Sequence, residues 1–147
     1  MREQRKNHVD VVKIFIDGEA INPTNPPGEL SFTDEEVEAV VDEAHRRKMR
    51  VACHARSAAA VKQAVRAGVD YIGHANYLDD EAVDMLAARN EQIVVGPAIA
   101  WEMQYVAQCE SLGVHKDTVR AQGYEAEIEA TVATVEKLRK AGVRLVV

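Results

Sequence analysis

Apolar runs alternate along this chain with stretches of helical spacing. Strand-like runs fall at 11–16, 51–55, 69–73, 92–96 and 143–147. Between the first two, Thr33 and Glu36 form a capping box, and Val37, Val40, Val41 and Ala44 follow at helical intervals. Ser57 caps a second helix with Val61, Ala64 and Val65 inward, stopped at Gly68. Asp79 caps a third, with Val83 and Leu86 on its inner side. A fourth spans residues 124–140, turns Ile128, Val132 and Val135 inward and stops at Gly142. The segments AGVDYI (67–72) and AGVRLV (141–146) repeat one device: helix end, glycine in the left-handed conformation, strand. The proline-rich stretch NPTNPPGE (22–29) predicts an irregular loop. A second long connection, 97–117, is expected to hold a short helix carrying Trp101 and Tyr105.

Strands alternating with helices predict an α/β fold, a parallel sheet with crossover helices. No linker or change of composition divides the chain, so residues 1–147 read as one unit. A complete (β/α)8 TIM barrel needs roughly 250 residues. About five parallel strands with their crossover helices predict a partial barrel, a piece of a longer one.

Composition narrows the function classes. Eighteen basic against 24 acidic residues give a net charge of −6, and no Lys/Arg cluster offsets it, which argues against nucleic-acid binding. The basic groups at Arg2–Lys6 and His45–Arg50 read as solvated helix ends. No apolar stretch approaches the roughly 20 residues that span a bilayer, so no membrane partner is expected. Cys53 and Cys109 are too few and too far apart for a disulfide framework, which makes a reducing, cytoplasmic setting the default. DGEA and NPPGE lack the spacing of a phosphate-binding loop.

The chemistry enters through strand alternation. In VVKIFI, Val11, Lys13 and Phe15 share one face, while Val12, Ile14 and Ile16 share the other, the aliphatic face that suits outer helices. Lys13 then points into the barrel. His54 lies near the C-terminal end of the second strand, on the face of Ala52. His74 follows DYIG in the third, on the face of Ile72. Ligands bind at the C-terminal strand ends of parallel α/β folds. One such residue alone reads as polar core or an ion pair. Three at matching positions on consecutive strands point to a metal centre built from two neutral imidazoles and a modified lysine.

VVKIFI, VACHA and YIGHAN together resemble the fourth, fifth and sixth strands of the amidohydrolase superfamily. They are similar in particular to its imidazolonepropionase-like group, which includes Xaa-Pro dipeptidases (prolidases) and arginine carboxypeptidases. EEVEAVVDEAHRRKMRVACHA and AVKQAVRAGVDYIGHANYLDDEAVDML carry the resemblance over nearly the whole chain. It implies that Lys13 forms a carbamate bridging two divalent metals, usually zinc, and that His54 and His74 ligate one of them. It further implies a metal-activated hydroxide attacking the C–N bond of a dipeptide, N-acyl amino acid or cyclic amide. Imidazolonepropionase itself resembles a one-metal design without the lysine, so Lys13 favours the two-metal peptidase branch. The family's His-x-His pair has no counterpart here, and its last-strand aspartate would lie beyond Val147. No catalytic residue is therefore expected within this chain, and the chain alone is expected to be inactive.

Other candidates carry open alternatives. Arg56 lies two residues after His54, where the branch often has tyrosine. It reads either as the partner of a substrate carboxylate at the mouth or as a surface-loop arginine. Tyr77, Trp101 and Tyr105 are either pocket walls or core anchors. Asp17 and Glu19 flank Gly18 in a turn where acidic residues need no special role. His8, His45 and His115 read as surface residues, and Cys53 as buried against a helix. Two other classes compete with the hydrolase. One is a non-catalytic half-barrel that binds small ligands. The other is a homo-oligomer in which exposed sheet edges pair between copies.

Overall fold

The computed structural model describes residues 2–19, 24–113, 115–121 and 123–146. Asn22 and Pro23 of the expected loop and Val147 of the expected last strand lie outside the described residues. In chain order the elements are α1 (Arg2–Lys6), β1 (Val11–Phe15), α2 (Asp34–Arg46), β2 (Arg50–Ser57), α3 (Ala58–Ala67) and β3 (Tyr71–Tyr77). They continue with α4 (Asp80–Ala88), β4 (Val94–Gly96), α5 (Ile99–Ser111), α6 (Lys116–Ala121) and α7 (Tyr124–Lys140). All strands are parallel in the order β1-β2-β3-β4, so neighbours in sequence are neighbours in the sheet.

Local chemistry sets the helix starts. Thr33 Oγ1 accepts from the Glu36 N–H while Glu36 Oε2 accepts from the Thr33 N–H at 2.9 Å, the reciprocal pair of a capping box. Ser57 accepts from the Ala60 N–H at 3.2 Å and Asp79 from the Ala82 N–H at 2.9 Å. Gly68, at φ 82°, ends α3 in the left-handed region, which lets the chain turn directly into β3. The core lies between the sheet and the helices. Val37, Val41, Val61, Ala64, Val83 and Leu86 from α2–α4 pack on Val51, Cys53, Ile72 and Val95.

Three expectations need correction. The run at 143–147 joins the sheet by a single parallel bridge, Val95 to Leu145, rather than as a full fifth strand. Its partner β4 is only three residues long and ends against Pro97, which has no N–H to extend a ladder. The 97–117 connection holds α5, a 13-residue helix, and part of α6. Finally, α7 does not bury Ile128, Val132 and Val135. Its buried face is Tyr124, Glu127, Thr131, Thr134 and Leu138, and Val132 stays 45% exposed. This largely polar stripe is buried because it satisfies polar groups on β2, β3 and α5.

Candidate metal centre

The sheet register stacks two rows across its open face. Lys13, Ala52, Tyr71 and Val94 form one; Phe15, His54, Gly73 and Gly96 form the next. Gly96 is required by the first row: a β-carbon there would lie 1.8 Å from the Tyr71 hydroxyl. Lys13 is exposed on this face, and its Nζ lies 4.9 Å from the centre of the Phe15 ring. Phe15 in turn stacks on His54 with ring centres 4.9 Å apart. Lys13 and His74 both line a cleft of about 350 Å³, together with Tyr71 and Pro97.

His74 reaches this face by a different route from simple alternation. Ile72, on whose face His74 was expected, is fully buried on the helix side. Register places His74 beside the equally buried Ala55, and the next pairing, Ser57 with Tyr77, shows that β3 carries one extra residue. His74 and Ala75 take the left-handed φ values 78° and 52°, a bulge that swings the imidazole over to His54. Non-glycine residues in that region cost about 1–3 kcal/mol each, and such strain concentrates at functional sites. The two rings meet edge to face with centres 4.5 Å apart.

Both imidazoles are held neutral. Burial lowers the His54 pKa, opposed by its bond to Gly18 O and reinforced by Arg56. Burial, aided by the positive charges of Arg56 and Lys13, lowers that of His74 to about 3. His54 Nε2 lies 3.2 Å from the carbonyl oxygen of Gly18, which only accepts, so Nε2 carries the proton and Nδ1 presents a lone pair. The Nδ1 atoms of both histidines are buried without a hydrogen-bond partner. Neutral rings with orphaned nitrogens are the donor chemistry a divalent ion takes. Among the described residues, no three His, Cys, Asp or Glu side chains converge on one point. The fitting donors are therefore the histidine pair, with Lys13 at the edge of the cleft.

Arg56 lies elsewhere than expected. It is buried, not at an open mouth, and its guanidinium pairs with Glu127 of α7 and, at 3.4 Å, with Glu102 of α5. Asn76 belongs to the same cluster: it accepts from Arg56 and donates to Glu102 and to Thr131 Oγ1 at 2.9 and 2.6 Å. Arg56 and Asn76 each follow a site histidine by two residues, so this buried network ties both histidine-bearing strand ends to α5 and α7. Asp17 has a role the sequence did not disclose. Fully buried, its carboxylate accepts from the N–H groups of Gly28, Arg56 and Ser57 at 3.1, 2.9 and 2.9 Å, locking the end of β1 to the end of β2.

Tyr77 is half-exposed at the end of β3. Trp101, also half-exposed, stacks on Tyr105 at 5.6 Å, and both contact the buried Tyr124. His45 bonds Asp70 at 2.9 Å at the opposite, N-terminal end of the strands. The sequence signals that might have revealed Glu102, Asn76 and Glu127 were weak, because each sits in an otherwise ordinary polar position.

The Amidohydrolase family profile matches residues 2–146. Ochratoxinase of Aspergillus niger is 27% identical over 86 residues, which are 58% of this chain and 18% of that protein. A solved Xaa-Pro dipeptidase with methionine bound in its active site superposes with a TM-score of 0.79 at 29% identity, covering 98% of this chain and 35% of its own. A prolidase complexed with N-methylphosphonate-L-proline gives 0.83 at 25% identity, covering 98% and 34%. This chain therefore spans about a third of the length of these two structures. The four-stranded α/β unit is a segment of their barrel fold, and the chain belongs to the amidohydrolase family.

Proposed function

We propose that the chain contributes part of the metal centre of a hydrolase that cleaves an amide or peptide C–N bond in a small substrate: a dipeptide, an N-acyl amino acid or a cyclic amide. The observation that carries this reading is the meeting of two neutral histidines with orphaned Nδ1 atoms at the C-terminal strand ends. A divalent ion, zinc on this reading, supplies Lewis acidity that lowers the pKa of water and polarises a carbonyl. His54 and His74 hold one ion. Lys13, exposed beside the same cleft, is placed to react with carbon dioxide and bridge to a second. The buried network around Arg56 holds the two histidine strands in register, and the Tyr71 ring fills the floor below them. Tyr77 and Trp101 are the half-exposed aromatic groups offered to the substrate side.

Turnover is assigned to the complete barrel. The 147-residue chain with added zinc is expected to hydrolyse N-acyl amino acids no faster than zinc alone. Lys13 provides the sharper test. Zinc uptake by the wild-type chain should rise with bicarbonate, and Lys13→Met should abolish that rise. Uptake indifferent to bicarbonate in both proteins contradicts a carbamate bridge. Two buried free cysteines support a reducing, cytoplasmic location.

A second reading, self-association, is favoured by the open sheet face. Val11 and Phe15 are each 50% exposed, and Tyr71 and Val146 lie beside them at 37% and 46%. This apolar surface and the unpaired edge of β1 suit another copy of the chain.

A further inference from the structure

We propose that Glu19 is an additional ligand of the ion held by His54, completing that half of the site with a carboxylate. This rests on the metal reading above. The Gly18 carbonyl fixes the His54 tautomer, so the lone pair of Nδ1 is bare, buried and without a hydrogen-bond partner. Glu19 Oε1 lies 3.8 Å from that nitrogen. A lone pair and a carboxylate facing each other in a buried place repel unless a cation or a proton lies between them. Zinc binds nitrogen and carboxylate oxygen at about 2.0–2.2 Å, so two donors this far apart can share one ion at an open coordination angle.

The backbone places Glu19 deliberately. Gly18 admits no side chain, since a β-carbon would lie 1.6 Å from the Asn25 carbonyl oxygen. That same oxygen accepts from the Glu19 N–H at 3.0 Å. Just before it, Asp17 is fastened by three N–H donors. The turn after β1 is thus pinned on both sides of Gly18. Phe15 stacked on the imidazole, with ring planes 25° apart, fixes the direction in which Nδ1 points. Asp17 Oδ1, 4.0 Å from His54 Nε2, adds negative potential at the rear of the ring. Glu19 itself is one-third exposed, so an ion can reach it from solvent.

Glu19→Gln separates ligation from hydrogen bonding, because the glutamine amide can still donate to Nδ1 while losing the anionic ligand. Zinc affinity is measured on the full 147-residue chain by competition with a chromophoric chelator, with cobalt(II) absorption as a second readout. The metal-free Tm controls for folding. Glu19→Gln should bind zinc at least about tenfold more weakly than wild type, at or beyond the lower end of what loss of an outer-shell partner costs. Glu19→Asp should fall between them, and the cobalt spectrum should change. Zinc binding by Glu19→Gln equal to wild type overturns the assignment of Glu19 and leaves the histidine site standing. Wild-type binding no tighter than that of His54→Ala overturns the metal reading itself, and this inference with it.

Discussion

Lys13 sits in the middle of an apolar strand without being buried, because β1 is a sheet edge and its inner face is open. Alternation made that orientation readable from VVKIFI alone. The fate of Arg56 was not readable in the same way. Its two carboxylate partners are 46 and 71 positions away in sequence, on helices whose inner faces were unknown. Removing one partner of a buried ion pair strands the other, at a cost of about 3–5 kcal/mol. Arg56→Ala leaves two carboxylates, so it should lower stability in urea by at least about 3 kcal/mol, against a typical total of about 5–15 kcal/mol. A loss below about 1 kcal/mol, the size of an exposed pair, contradicts the buried network.

At the scale of elements, the helix starts were legible because caps are local. Thr33, Ser57 and Asp79 each satisfy an N–H two or three residues away, and no distant partner is needed. Ser57→Ala should cost about 0.5–2 kcal/mol in chemical denaturation, and no change would deny the cap its role. Asp79 adds a pH dependence. Its pKa is lowered by the Lys62 ammonium and by the Ala82 N–H. Its stabilising contribution is therefore fully present above the ordinary carboxylate value of 3.8 and is lost as pH falls below it. Asp79→Asn should flatten the acid limb of the stability profile; an unchanged limb argues against the pairing. The inner face of α7 was not legible, because Ile128, Val132 and Val135 form the more apolar stripe and the demand for polar partners comes from β2 and β3. Val132→Ser should change stability by no more than about 0.5 kcal/mol. Leu138→Ala should cost about 2–5 kcal/mol, and equal effects of the two would return the helix to its sequence-predicted orientation. The bulge at His74 was equally hidden, since alternation alone sends that side chain toward the helices.

For the whole molecule, the alternation of strands and helices gave the parallel sheet and its order, because successive crossovers leave few other topologies. Sequence also indicated that the sheet would be a part of a barrel. It overestimated the last strand, which needs a longer β4 to pair with. The open face carries the self-association proposal: sedimentation should show concentration-dependent dimers, weakened by Phe15→Lys, whereas a monomer throughout the micromolar range rejects it. The central claim is that His54 and His74 hold a divalent ion, and crystals of the chain grown with zinc test it most directly. Anomalous difference density at the zinc edge is predicted within about 2.0–2.1 Å of His54 Nδ1 and within ligand distance of His74. Well-ordered imidazoles with no anomalous peak between them would contradict it.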